Sequence, residues 1–200
     1  MAAPRVDFWY EFASTYSYLA AMRVEAEAGA RGVQVVWRPF LLGPIFKAQG
    51  WKDTPFNAIE AKGRYMWRDM ARLCAGRGLA FARPDPFPQP SLLAARVATA
   101  LPQALRPAFT RAVYVAEFGQ GRQIGESEVI ADILAAIGAD PGEALSLAGG
   151  EATKSRLRAE TETAIAAGVF GAPSFVTADG ELFWGDDRLE QALDHAAGRP

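Results

Sequence analysis

Hydrophobic and polar positions follow a β-strand pattern at the two ends of the chain and a helical pattern between them. Residues 6–12 form an aromatic-rich, partly alternating run, and residues 33–39 form a second run that ends at a proline. A helix is predicted between these two runs, from Ser14 at or beside the N-cap to about residue 29. A helix that joins two strands is the parallel crossover unit, so the chain is predicted to begin an α/β fold.

From residue 43 to about residue 147 the pattern is helical and is interrupted by prolines and glycines. Apolar side chains recur close to every 3.6 residues over 57–77. The run 83–90 has a proline at every second position, which predicts an extended connection. Further helices are predicted at 91–100, 106–118, 127–137 and 141–147.

Strand character returns after a charged helix at 151–167. Residues 174–177 and 181–184 flank an Asp-Gly turn typical of a β-hairpin, and a last helix is predicted at 187–197. This order, βαβ, helical insertion and αββα, predicts a thioredoxin-like α/β fold with a large helical insertion. The thioredoxin-like domain is expected to comprise residues 1–42 and 151–200, and the helical insertion domain residues 43–150.

Composition narrows the chemistry that this fold can support. The 21 basic and 23 acidic side chains give a net charge of −2, which argues against a nucleic-acid partner. The single cysteine and the single histidine exclude an intramolecular disulfide, a Cys-x-x-Cys pair and a Cys/His zinc site, so no metal is expected. The chain has neither a signal-peptide pattern nor an apolar run of 18 residues, so a cytoplasmic protein with no membrane partner is predicted.

The rare residues and the basic repeat are expected to be structural. Cys74 lies among apolar neighbours of the predicted helix 57–77 and is expected to be a buried thiol. His195 lies on the last predicted helix, which is expected at the surface. Arg64, Arg68 and Arg72 recur every four residues but are interrupted by Glu60 and Asp69, which is typical of a solvated helix face.

The junction between the first strand and its helix carries Ser14-Thr15-Tyr16-Ser17, where thioredoxin-like oxidoreductases carry Cys-x-x-Cys. A serine cannot exchange thiols. Its hydroxyl can donate a charge-assisted hydrogen bond, worth about 1.5 to 3 kcal/mol, to the thiolate of a bound ligand, and a helix N-terminus also favours an anion. In the alternative interpretation Ser14 is only an N-cap and Ser17 is a helix-surface residue.

Two segments beside the predicted hairpin offer further candidates. Ala172 and Pro173 precede the third strand, where thioredoxin-like folds place a cis-proline, and the residue before it can pair through its main chain with an extended peptide. An ordinary trans proline is the alternative. Asp186 and Asp187 follow the last strand, where a carboxylate either caps the next helix or binds the ammonium group of a ligand.

Four motifs taken together, and in this order, resemble the 2-hydroxychromene-2-carboxylate isomerases. The kappa-class glutathione transferases, within the wider disulfide-oxidoreductase (DsbA-like) group, are similar as well. The resemblance covers essentially the whole chain. The motifs lie at residues 7–19, 61–66, 170–173 and 183–189.

The resemblance implies a glutathione site. Ser14 takes the position of the active-site serine, and Ala172 would pair with the main chain of the glutathione cysteine. Asp186 and Asp187 would hold the γ-glutamyl end of glutathione. Trp184 lies in the same motif and would also belong to the glutathione site.

The resemblance also implies roles for two lysines, and the sequence departs from the family pattern at two positions. Lys62 and Lys47 match basic positions near the glycine carboxylate of glutathione or an acidic substrate. Thr15 replaces the usual proline after the serine, and Asp186 stands where asparagine or serine is common.

The activity implied by the resemblance is a glutathione-dependent cis/trans isomerisation of a small aromatic oxo-acid, a carboxylate partner. A kappa-like glutathione transferase or peroxidase is the first alternative, and a noncatalytic glutathione- or peptide-binding module is the second. Phe46, Trp51 and Phe87 are candidates for the substrate groove. A homodimer is expected from the family alone.

Overall fold

A computed structural model describes residues 3–51 and 53–199, which contain a four-stranded mixed sheet. Strand β1 pairs with β2 in parallel and with β3 in antiparallel orientation, and β4 adds to β3 in the order β2-β1-β3-β4. The thioredoxin-like α/β fold predicted from the sequence is confirmed. The strands are β1 (Arg5–Tyr10), β2 (Gln34–Pro39), β3 (Ser174–Thr177) and β4 (Leu182–Trp184).

Helices make up most of the remaining described chain, and the proline-rich segment 83–90 is not helical. The helix predicted at 14–29 is two helices, because Arg23 leaves the helical conformation at φ −129° and its guanidinium bonds to Asp186 and Glu190. The helices are α1 (Thr15–Ala21), α2 (Val24–Arg31), α3 (Leu42–Ala48), α4 (Pro55–Ala58), α5 (Glu60–Gly76), α6 (Leu92–Ala100), α7 (Arg106–Tyr114), α8 (Ser127–Ala136), α9 (Pro141–Gly149), α10 (Glu151–Ala166) and α11 (Leu189–Ala196). Helix α7 continues into a π-helical turn, Val115–Gly119.

The aromatic side chains of β1 form the centre of the core. Phe8 packs edge-on against Trp37 of β2 and stacks on Phe175 of β3, with ring centroids 5.0 and 5.3 Å apart. Tyr10 and Tyr114 belong to the same buried cluster, so the sheet and the helical segment share one core. The division of the chain at residues 42 and 151 stays a prediction.

The expected structural roles of the rare residues and of the basic repeat are confirmed. Cys74 is fully buried on α5, and Arg64, Arg68 and Arg72 are exposed on the same helix. His195 is exposed on α11 and contacts Asp179 of the hairpin turn. Within the described residues, no helix is long and apolar enough to cross a membrane.

Candidate functional site

Ser14 connects the first helix to the loop before β3. Its hydroxyl accepts a hydrogen bond from the Ser17 main-chain N–H at 3.3 Å, so Ser14 is the N-cap of α1. The same hydroxyl donates to the main-chain carbonyl of Ala172 at 2.9 Å, across 158 positions of sequence. The interpretation of Ser17 as a helix-surface residue is wrong, because its side chain is fully buried. Ser14 is therefore the half-buried, solvent-reaching member of the pair.

The turn that presents Ser14 is fixed by the main chain of Glu11. The Glu11 carbonyl accepts the Ser14 N–H at 3.0 Å and the Tyr114 hydroxyl at 2.8 Å. Tyr114 is fully buried on α7, so the helical segment contacts the turn that presents Ser14 directly.

The loop before β3 lies opposite Ser14. The Ala172–Pro173 peptide bond is cis, in agreement with the resemblance. A Cβ atom at Gly171 would clash with the Trp184 indole nitrogen, so glycine leaves room for the indole beside this loop. Trp184 is 52 % exposed and packs on the exposed Phe170 ring at 5.0 Å. The loop therefore places a main-chain carbonyl against Ser14, and the rings of Phe170 and Trp184 pack beside the same loop.

The two adjacent aspartates have different surroundings. Asp186 is buried, and its carboxylate accepts hydrogen bonds from Arg23 at 3.0 Å and from both terminal nitrogens of Arg77 at 3.1 and 2.6 Å. Asp187 is largely exposed, and its only ion pair in the described structure is with the neighbouring Arg188 at 3.4 Å. The role of both aspartates in glutathione binding stays a prediction, but only Asp187 presents its charge to solvent.

The two candidate lysines lie on separate helices and are exposed. Lys47 is in the last turn of α3 and Lys62 is near the start of α5. Asp69, seven residues after Lys62, accepts the Tyr16 hydroxyl of α1 at 3.1 Å. Because residues seven apart lie on one side of a helix, Lys62 is on the face of α5 that turns toward α1. No comparable contact relates Lys47 to α1 within the described residues.

Two buried acids behind the site were not identified from the sequence. The carboxylate of Glu11 is 6 % exposed and accepts the Ser91 hydroxyl, and burial raises its pKa to about 7. Glu117 is fully buried in the π-helical turn, where burial and then the charge of Glu11 hold its pKa well above the usual range. The sequence shows Glu11 as an acid within the aromatic run 6–12, but this pattern does not indicate that its side chain is buried.

Glu11→Gln tests this environment through the pH dependence of stability. The raised pKa of Glu11 means that the folded protein binds its proton more tightly, so this stabilisation is complete below pH 4.5 and is lost as pH rises through about 7. The variant should therefore gain stability relative to the parent by about 3 kcal/mol between pH 4.5 and pH 8. Urea denaturation across this range measures the difference. Glu162→Gln, an exposed change on α10, is the control, and a parallel pH response of both variants would contradict the prediction.

The sequence of this chain is similar to those of several known proteins. Residues 5–197 match the family of DSBA-like thioredoxin domains. A 2-hydroxychromene-2-carboxylate isomerase of Sphingobium xenophagum is 27% identical over 186 residues, which cover 92% of this chain and 94% of that protein. Glutathione s-transferase kappa 2 of Caenorhabditis elegans is 23% identical over 209 residues, covering 96% of this chain and 91% of that protein.

Structural comparison agrees with the sequence comparison. The solved structure of a 2-hydroxychromene-2-carboxylate isomerase superimposes with a TM-score of 0.86 and 26% sequence identity, and the alignment covers 97% of this chain and 94% of that one. The similarity therefore extends through the helical segment as well as the sheet. Related proteins thus include isomerases and glutathione transferases.

Proposed function

Because the chain belongs to the DSBA-like thioredoxin family, we propose that it is a glutathione-dependent cis/trans isomerase of a small aromatic oxo-acid. The observation that carries this proposal is Ser14, which stands at the cysteine position of the fold with its hydroxyl bonded to the Ala172 carbonyl at 2.9 Å. The one cysteine of the chain, Cys74, is buried in the core. A reactive thiol at this site must therefore come from a ligand.

The residues present fit glutathione at three points. The Ala172 carbonyl offers a main-chain acceptor to a peptide-like ligand, the exposed carboxylate of Asp187 suits an ammonium group, and the exposed Lys62 suits a carboxylate. Trp184 and Phe170 provide an exposed aromatic surface beside the same loop. Asp186 is held by two guanidinium groups and would support this loop from behind.

Ser14 would change its hydrogen-bond partner when a ligand binds. In the protein alone its proton is donated to Ala172. A ligand amide that bonds to the Ala172 carbonyl competes for this acceptor and releases the Ser14 proton toward the ligand sulfur. A hydroxyl donating to a thiolate contributes about 1.5 to 3 kcal/mol, which lowers the thiol pKa by about one to two units. We assign this effect mainly to the hydroxyl, because α1 has only seven residues.

Glutathione, when bound, supplies a thiol that adds reversibly to the electron-poor double bond of the substrate and so permits rotation about it. The chain itself holds the sulfur in its ionised form with Ser14 and orients the cofactor main chain with Ala172. Glutathione is regenerated in an isomerisation. A kappa-like transferase or peroxidase would consume it.

The test measures product and cofactor together. The protein is mixed with glutathione and a cis arylidene oxo-acid, and the trans isomer and the remaining free thiol are both quantified. Isomerisation at constant thiol concentration is expected. Loss of one thiol per product would support the transferase alternative, and tight glutathione binding without turnover would support a binding module.

Asp187→Asn should weaken glutathione binding if the carboxylate pairs with the γ-glutamyl ammonium. A hydrogen-bonded charge is worth about 1 to 3 kcal/mol, and solvent exposure places this pair at the lower end, so we expect a loss of about five- to tenfold in affinity. Isothermal titration calorimetry gives the dissociation constant. Asp132→Asn, which also removes an exposed carboxylate paired with an arginine, is the matched control. Equal affinity of the Asp187 variant and the parent would leave Asp187 without a role in binding.

A further inference from the structure

A cleft of about 460 Å³ lies between α4 and the proline-rich segment 83–90. The side-chain amide of Asn57 donates to the Phe87 carbonyl at 3.2 Å and so joins the two walls. The cleft combines apolar proline and phenylalanine surface with one cation and one anion. Its lining residues are Asn57, Arg83, Pro84, Asp85, Pro86 and Phe87.

Arg83 and the exposed Arg68 of α5 both lack an ion pair within the described residues, but only Arg83 lines the cleft. Arg64, Arg72 and Arg77 each pair with a carboxylate, whereas no ion pair of Arg83 is present in the described part of the chain. Its guanidinium lies over the Trp67 ring instead, 4.9 Å from the centroid. Stacking uses the face of the guanidinium and leaves its N–H groups, which lie in the plane at its edge, available to a carboxylate.

The aromatic support of Arg83 is part of the cleft wall. Trp67 meets Phe87 edge-on with ring centroids 4.8 Å apart, and Phe87 lines the cleft. A cation is thus held beside a flat apolar wall by rings that pack on each other. This arrangement matches a planar conjugated acid, whose ring can pack on the apolar wall while its carboxylate meets the guanidinium.

An aromatic layer connects the cleft with the Ser14 helix. Phe56, next to Asn57, packs on Tyr16 of α1 with ring centroids 6.4 Å apart. Tyr16 also donates to Asp69 of α5, the helix that carries Trp67. Side chains adjacent to the cleft therefore pack against the helix capped by Ser14.

We propose that Arg83 is the residue that binds the carboxylate of an aromatic acid in this cleft, and thereby selects acidic over neutral substrates. The proposal rests on the proposed function for its place in the reaction, and it names a residue for substrate recognition other than Lys47. Asp85 also lines the cleft and opposes this binding, because its carboxylate repels the carboxylate of the ligand. The net preference for an acid is therefore set by the balance between Arg83 and Asp85.

Binding of an arylidene 2-oxo acid and of its methyl ester tests the proposal without glutathione, because the two probes share the same conjugated skeleton and only the acid carries a charge. Calorimetry should show that the parent binds the acid about tenfold more tightly than the ester, as expected for one charge-assisted contact partly screened by solvent. Arg83→Gln should bring this ratio close to one, and Arg83→Lys should retain part of it. Asp85→Asn should increase it.

Arg68→Gln is the matched control, because Arg68 is an exposed arginine on the outer side of α5. Its ratio of acid to ester affinity should equal that of the parent. A preference that survives in Arg83→Gln, or that is lost in Lys47→Gln instead, overturns the proposal. Glutathione turnover is measured separately, so a protein that prefers the acid through Arg83 but does not isomerise it would contradict the proposed function alone.

Discussion

Ser14→Ala is expected to raise the pKa of the bound glutathione thiol by about one to two units, because the mutation removes a charge-assisted hydrogen bond to the sulfur. At pH 6.5 the thiolate fraction, and with it the isomerisation rate, should fall by about 10- to 50-fold, and the rate should recover as pH rises above the new pKa. Ultraviolet titration of the thiolate in the complex measures the pKa directly. The main-chain N–H groups at the start of α1 remain in the variant. The pKa of its bound thiol should therefore stay below that of free glutathione.

The control for Ser14→Ala must separate catalysis from helix capping. Ser14 also caps α1 through the Ser17 N–H, and the loss of an N-cap costs about 1 kcal/mol of stability. Asp140 caps α9 in the same way, accepting the Glu143 N–H at 2.9 Å. Asp140→Ala should therefore lose similar stability with no change in the thiol pKa. A Ser14 variant whose bound thiol titrates like that of the parent would restrict Ser14 to its capping role.

Asp186→Asn is expected to destabilise the fold by about 3 kcal/mol, since it removes the ion-pair partner of the partly buried Arg77 and leaves Arg23 with Glu190 alone. The side chains of Arg23 and Arg77 are 18% and 29% exposed, and that of Asp186 is 5% exposed. Urea denaturation followed by circular dichroism measures the change. Addition of Arg77→Met to the Asp186 variant should restore part of the stability, because it removes the guanidinium that the first mutation leaves unpaired.

The neighbouring aspartate is the internal control for Asp186. Asp187→Asn changes an exposed side chain, so we expect a change in stability of less than about 0.5 kcal/mol. The Asp186 variant should thus lose stability, whereas the Asp187 variant should lose glutathione affinity. A stability loss below about 1 kcal/mol for Asp186→Asn would contradict the buried ion-pair network as a source of stability.

The sequence was sufficient for features that depend on local periodicity or on the identity of single residues. Short-range patterns predict the hairpin strands flanking Asp179-Gly180, helix α5 and the buried position of Cys74. The break between α1 and α2 does not, because it depends on the contact between Arg23 and Asp186, which are 163 positions apart. A partner so distant in sequence leaves no periodic signal.

The sequence by itself determined the thioredoxin-like order of elements, the absence of a cysteine at the turn where related oxidoreductases carry a pair, and the serine that stands there, because these depend on residue identity and spacing. Only the tertiary structure decided the different environments of Asp186 and Asp187, the burial of Glu11 and Glu117, and the place of Arg83 on Trp67. Burial and charge pairing arise when distant segments pack together. The surroundings of a side chain are therefore fixed by the fold, although its chemistry is fixed by the sequence.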